Sequence, residues 1–237
     1  MNSNSPQRPT KIRISEIFHS LQGEGALAGV PSTFVRIAGC PLRCRWCDSQ
    51  YAWEPSAAAD YDVAQLVQAV LQWPGRFVVI TGGEPMVNRN LPDLAQRLTE
   101  HDKNITIETA GIAYIPGLTC DLMSISPKLS NSRPDDPKLA AIHDKARLDI
   151  AVLRKLVADY NYQLKFVVDT PSDLAEIQQT VQQIGNVDSA KVMLMPQAKT
   201  RQELLVKSPM VAELCKDSGF AFCQRLHIML WDGQRGK

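Results

Sequence analysis

Phe77-Val78-Val79-Ile80-Thr81-Gly82-Gly83-Glu84-Pro85 decides the fold. Four consecutive apolar, mostly β-branched residues form a run too short for a helix. Such a run is the signature of a strand buried on both faces, and strands of that kind belong to parallel sheets covered by helices. The run passes without a break into a loop with two glycines, so the unusual residues sit at the strand's C-terminal end. On either side the pattern repeats. Asp62 to Gln72 has apolar residues at Val63, Leu66, Val67, Val70 and Leu71, a helical spacing with Asp60 or Asp62 as N-cap and Pro74-Gly75 as stop. Leu91 to Glu100 predicts the next helix, and Ile105-Thr106-Ile107 the next strand, ending in Glu108-Thr109-Ala110-Gly111.

Further outward the alternation continues. Lys11 to Ser20 and Ser32 to Ile37 read as strands separated by Leu21-Gln22-Gly23-Glu24-Gly25. Leu122 to Ile125 is a strand before Ser126-Pro127-Lys128; Lys138 to Tyr160 is helical with a break near Leu148; Gln163 to Val168 is a strand. Ser172 to Ile184 is a helix, Lys191 to Met195 a strand ending at Pro196-Gln197, and Thr200 to Ser218 a helix stopped by Gly219. Ala221 to Gln224 and Leu226 to Leu230 read as short closing strands. About six β-then-α units imply an α/β fold with a parallel sheet and outer helices. A closed eight-unit barrel takes about 250 residues, so 237 residues with too few strands imply an open, partial TIM-like barrel. Residues 1–10 read as a frayed tail and 11–237 as one domain.

Gly39 to Ser49 holds Cys40, Cys44 and Cys47 in a C-x3-C-x2-C spacing, directly after a predicted strand. Thiolates this close make disulfides, zinc sites or iron–sulfur clusters. Zinc needs a fourth ligand, and of the four histidines only His19, on the strand before the loop, could reach it. A disulfide does not suit a reducing compartment. A [4Fe–4S] cluster takes one thiolate per iron, so three cysteines leave one iron open. That iron can be chelated by the amino and carboxylate groups of S-adenosylmethionine (SAM). Thr81 to Pro85 can supply a backbone site for them, with Glu84 for the ammonium; the alternative is a plain strand-to-helix turn. Trp46 can shield the cluster and pack on adenine. Ser126 and Lys128 offer a hydroxyl and a cation, or form an ordinary turn. Arg36, in an apolar strand, needs a partner: a substrate carboxylate or a structural ion pair. Cys120, Cys215 and Cys223 read as small buried hydrophobes.

Composition narrows the partners. Hydrophobic residues make up 44% and charged residues 22%, and 26 Lys and Arg face 25 Asp and Glu. That balance points to neither nucleic acid nor a membrane surface. No apolar run approaches the roughly 20 residues of a membrane span. A cytoplasmic protein with reduced thiols is expected.

With these residues in view, the chain resembles the radical SAM superfamily through Cys40-x3-Cys44-x2-Cys47 and Gly82-Gly83-Glu84-Pro85. More narrowly it is similar to the 7-carboxy-7-deazaguanine synthase family. The shared segments are Phe18-His19-Ser20-Leu21-Gln22-Gly23-Glu24-Gly25, Phe34 to Cys40, Cys47-Asp48-Ser49, Glu108 to Gly111 and Ser126 to Ser132. The resemblance implies ring contraction of 6-carboxy-5,6,7,8-tetrahydropterin, with loss of ammonia, in queuosine and deazapurine biosynthesis. It implies one [4Fe–4S] cluster on Cys40, Cys44 and Cys47, SAM as a regenerated cofactor, and Mg2+ at Ser49. It places SAM contacts at Trp46, Cys47, Asp48, Gly83, Glu84, Gly111, Ser126, Pro127, Lys128 and Gln197. It places substrate contacts at Leu21, Gln22, Gly23, Glu24, Arg36 and Thr109. It further implies a homodimer and an electron donor such as flavodoxin or ferredoxin. The family's terminal proline contact is not matched by Trp231 to Lys237. Rival readings are a radical SAM activase acting on a glycine of a partner protein, and a non-catalytic metal-binding protein.

Overall fold

The computed structural model describes residues 11–237; the expected tail at 1–10 lies outside the described residues. Among the described residues nine strands form one sheet: β1 (Lys11–Leu21), β2 (Pro31–Ile37), β3 (Ala59–Asp62), β4 (Phe77–Gly82), β5 (Asn104–Thr109), β6 (Leu122–Ile125), β7 (Tyr162–Val168), β8 (Val192–Pro196) and β9 (Ala221–Phe222). Their order is β3-β1-β2-β4-β5-β6-β7-β8-β9. From β2 to β9 all neighbours are parallel. β1 is antiparallel to both β2 and β3. The sheet does not close, so the fold is an open α/β barrel, with an antiparallel flap on one side.

The helices are α1 (Val63–Leu71), α2 (Leu91–Glu100), α3 (Pro137–Ala146), α4 (Ile150–Asp159), α5 (Asp173–Ile184), α6 (Arg201–Ser218) and α7 (Leu226–Trp231). Two start on capping boxes, Asp62 with Gln65 before α1 and Thr200 with Glu203 before α6, which satisfy backbone N–H groups that a helix start leaves free. The break near Leu148 is real: Asp149 caps α4 by accepting from the N–H groups of Ala151 and Val152.

Period-2 alternation sorts the parallel strands into two faces. Val35, Ile37, Val78, Ile80, Ile105, Ile107, Met123, Ile125, Leu164, Phe166, Val192 and Leu194 belong to the main apolar core, together with residues of the helices. The alternate residues are of a different kind: Arg36, Thr81, Glu108, Lys165 and Met195 line a cavity on the other face.

One strand expectation is corrected and one strand is added. Leu226 to Leu230 is not a strand but part of α7. The sheet stops at the two residues of β9, after which the N–H of Leu226 is tied to the Gly23 carbonyl, so no strand edge is offered to this segment. β3 is a strand that the alanine-rich, acidic sequence around Ala59 to Asp62 did not suggest; its pairing with Lys11 to Ile14 of β1 makes it one.

Candidate functional site

A cavity of about 530 Å3 opens at the C-terminal ends of the parallel strands. In parallel α/β folds that edge collects the chemistry, because the loops leaving neighbouring strands meet there. The loop after β2 brings Cys40, Cys44 and Cys47 to one wall, all with free thiols. Leu42, Ala110 and Trp46 pack around them. Burial pushes the Cys40 thiol up to about 11 and the Cys44 thiol to about 12, and raises Cys47 as well.

Three neighbours hold the cysteine loop in place. The first is the Gly82-Gly83 turn: Gly83 N–H donates to the Ile37 carbonyl and Glu84 N–H to the Gly39 carbonyl, both at 2.9 Å. A Cβ on Gly83 would stand 2.1 Å from the Gly39 oxygen and 2.9 Å from Cys40 Cβ, so only glycine permits this approach. The second is the Ser126 to Ser132 segment: the Ser132 carbonyl accepts from Arg45 N–H at 3.0 Å, and the Asn131 carbonyl from Trp46 Nε1 at 3.2 Å. The third is His143 on α3, whose Nδ1 accepts from Arg43 N–H at 3.2 Å while Nε2 lies 2.9 Å from Ser132 Oγ.

The middle strands carry buried charge. Lys165 on β7 is only 1% exposed and donates to Glu24 at 2.9 Å and Glu108 at 2.8 Å. Burial alone would lower the Lys165 ammonium, but the two carboxylates outweigh it and hold it well above its usual range. Glu108 also accepts from Gln22 Nε2 at 3.0 Å and Ser124 Oγ at 2.9 Å. Arg225 bridges Glu24 at 3.1 Å and Asp48 at 2.5 Å. Burial would raise Glu24, yet Lys165 and Arg225 hold its carboxyl far below the usual range. Toward β1, Arg36 donates Nε to Glu16 at 2.7 Å, and its Nη1 lies 3.4 Å from Ser49 Oγ. Ser49 in turn donates to Asp48 at 2.7 Å.

The cavity thus brings together most residues that the sequence singled out: Leu21, Gln22, Gly23, Glu24, Arg36, the three cysteines, Trp46, Asp48, Ser49, Gly83, Thr109, Ser126, Lys128 and Gln197. Lys128 donates to Ser126 Oγ at 2.8 Å and sits 5.5 Å from the Trp46 ring centre. Three singled-out residues stand behind the wall. Glu84 is 1% exposed and its carboxylate accepts from Thr109 Oγ1, Ala110 N–H and Met86 N–H, so it braces the rim and is not free for an ammonium. Pro127 is buried, and Gly111 packs against Leu153 and Ile125. His19 pairs with Thr33 and stacks on Trp73, which corrects the idea that it reaches the cysteine loop. Lys165, Glu108, Arg225, His227 and Glu16 were not singled out. For Lys165, Glu108 and Glu16 the one signal is a polar residue within a strand; Arg225 and His227, at the start of α7, carry none.

The three thiols on this wall fit an iron–sulfur cluster, which takes one thiolate per iron and would keep one iron free of a protein ligand. An open barrel with three clustered thiols at this edge defines a radical SAM enzyme, and residues 34–149 match the Radical SAM superfamily. Two curated proteins are similar over nearly their whole length. The 7-carboxy-7-deazaguanine synthase of Halobacterium salinarum is 41% identical, over 97% of this chain and 94% of its own. That of Rhodopirellula baltica is 38% identical, over 96% and 89%. The crystal structure of QueE from Escherichia coli has the same fold, with a TM-score of 0.72 at 22% identity over 92% of this chain and 95% of that one. The chain belongs to the 7-carboxy-7-deazaguanine synthase family.

Proposed function

We propose that this chain is a 7-carboxy-7-deazaguanine synthase, a carbon–nitrogen lyase that contracts the ring of 6-carboxy-5,6,7,8-tetrahydropterin with loss of ammonia. The observation that carries the reading is the pairing, in one cavity, of the three-cysteine wall with the Arg36 guanidinium. When bound, the [4Fe–4S] cluster and SAM supply the 5′-deoxyadenosyl radical that begins the reaction.

The chain's own residues then hold, orient and exclude water. Cys40, Cys44 and Cys47 hold the cluster. The backbone around Gly83, the Trp46 ring, Ser126, Lys128 and Gln197 receive SAM, with Lys207 holding the Gln197 amide oxygen at 2.6 Å. Arg36 takes the substrate carboxylate on its planar fork. Leu21 to Glu24, Glu108 and Thr109 surround the ring, and the buried Lys165 fixes the two glutamates. Ser49 and Asp48 offer oxygen ligands to Mg2+, which keeps several waters and needs few protein groups. The same reading takes residues 11–237 as one radical SAM domain, supported by the single sheet.

Finer parts of the proposal concern partners. The cluster needs an electron, so a flavodoxin or ferredoxin is its donor. A homodimer is supported by exposed Leu205, Val206, Met229 and Leu230 on α6 and α7. No helix is long and apolar enough to cross a membrane among the described residues, and the reading places the protein in the cytoplasm.

The test is anaerobic turnover of reconstituted enzyme with the carboxytetrahydropterin, SAM and dithionite. Ammonia release with formation of the deazapurine carboxylate, and no net loss of SAM, is expected; steady SAM consumption without product sinks the reading. Arg36→Ala should weaken substrate binding by about 100-fold, on the scale of a lost charge-assisted bidentate contact of roughly 3 kcal/mol.

A further inference from the structure

The segment after α7 has no part in the readings above, yet it crosses the cavity mouth. Asp232 and Gly233 adopt left-handed backbone, with φ of 52° and 72°. Asp232 accepts from Arg201 N–H at 2.5 Å, and a Cβ on Gly233 would meet the Lys199 carbonyl at 2.7 Å. These contacts tie the segment to the start of α6, which packs on the β8–β9 side of the sheet. Two residues on, Arg235 reaches the opposite side. Its Nε donates to Glu16 Oε2 on β1 at 2.9 Å, and its guanidinium carbon stands 3.9 Å from the Tyr51 ring centre. A strap therefore spans the opening that the unclosed sheet leaves.

What the strap grips is informative. The other oxygen of Glu16 accepts from Arg36 Nε and from Tyr51 OH, each at 2.7 Å. A guanidinium offers five N–H donors on a rigid fork. With Nε committed to Glu16, Nη1 has only the long contact to Ser49, and no hydrogen bond from Nη2 is found among the described residues. Those two nitrogens are the pair that a carboxylate takes. Without Arg235, Glu16 Oε2 would be free to take a second nitrogen of Arg36 beside the bond that Oε1 already makes to Nε, the bidentate geometry frequent for such a pair. Arg36 would then be neutralised one to one and its fork turned toward β1. With Arg235 present, two guanidinium groups share one carboxylate and the group keeps one positive charge.

We propose that Arg235 is a positioning residue for the substrate carboxylate, holding Glu16 by one oxygen so that Arg36 presents its free fork and a net positive charge to the cavity. The inference rests on the reading that Arg36 receives that carboxylate. Arg235 itself is 56% exposed and acts through Glu16.

The test is anaerobic equilibrium dialysis of cluster-loaded enzyme with two ligands, the carboxytetrahydropterin and the same ring without its carboxylate. Arg235→Ala should weaken the carboxylated ligand about tenfold, the scale of one partly exposed ion pair with one cation–π contact. Affinity for the ligand lacking the carboxylate should stay within about twofold, well under the tenfold worth 1.4 kcal/mol. Arg235→Lys, which keeps the charge, should recover most of the loss. Unchanged affinity for both ligands overturns the proposal. So does equal weakening of both, which would make the strap a general lid. If Arg36→Ala spares the carboxylated ligand while Arg235→Ala weakens it, the reading of Arg36 fails instead.

Discussion

Lys165→Met probes the deepest charge in the cavity. Methionine keeps the length and the apolar stem but removes the ammonium from between Glu24 and Glu108. Glu24 retains Arg225 at 3.1 Å. Glu108 retains only the neutral donors Gln22 and Ser124, so one buried carboxylate is left without a counter-charge. Breaking a buried pair in this way costs about 3–5 kcal/mol. For a chain of this size each kcal/mol shifts Tm by roughly 2–4 °C, so a fall of roughly 6–20 °C is expected from that range. Anaerobic thermal unfolding followed by circular dichroism measures it. The pH dependence has a definite sign. In the parent, Glu24 is held below its ordinary value of 4.5, so its contribution is fully present above that pH and is lost as pH falls toward its lowered value. In the variant only Arg225 is left to oppose the burial that raises Glu24, so its carboxyl takes a proton more readily and lowering the pH from 7 should narrow the gap to the parent. Adding Glu108→Gln should restore at least half of the loss, because it removes the orphaned charge. A gap below about 2 °C, or one that ignores both pH and Glu108, would refute the electrostatic account and leave only packing.

The remaining predictions concern the cysteine loop. Gly83→Ala forces a methyl against the Gly39 carbonyl and Cys40 Cβ; iron content per chain should drop to less than about half of the parent, since overpacking of this kind shifts backbone. Parent-level iron in a folded variant would show that the loop yields freely. His143 is held below its ordinary 6.5, mainly by burial, and as a neutral ring can accept from Arg43 N–H while donating to Ser132. Its stabilising contribution is thus present above pH 6.5 and is lost as pH falls through its lowered value, with a slope of at most about 1.4 kcal/mol per pH unit. His143→Gln should flatten the fall of Tm between pH 7 and 5; an unchanged slope assigns the proton uptake elsewhere.

Much of the fold was legible because its signals are local. The helical spacing of Leu91, Leu94, Ala95 and Leu98 sits inside one segment, and so do the cap at Asp62 and the stop at Gly219. The failures come where long-range pairing decides. Leu226 to Leu230 has the composition of a strand, but no neighbour remains to pair with it, and the chain winds into α7. Ala59 to Asp62 has little strand propensity of its own and is a strand because it pairs with Lys11 to Ile14 on the edge of β1 away from β2.

The site divides along the same line. Cys40, Cys44 and Cys47, with Gly82 and Gly83, announce themselves by spacing. Lys165 does not, because its partners Glu24 and Glu108 lie 141 and 57 residues away; Arg225 and Arg235 reach Asp48 and Glu16 across 177 and 219. Once assembled, these pairs give the cavity a direction. In the ion-pair network around Lys165 and Arg225, the carboxylates of Asp48, Glu24 and Glu108 outnumber the two cations by one, while toward β1 Arg36 and Arg235 outnumber Glu16 by one. Carboxylates at Glu24 and Glu108 and a guanidinium at Arg36, on different parts of the lining, suit a ligand with an amine-rich end and a carboxylate end, and a low-dielectric cavity strengthens that preference. A symmetric dianion or dication would meet repulsion at one end. The polarity that would orient the proposed substrate is therefore a property of tertiary pairing, with the sequence motifs marking only where the radical chemistry would begin.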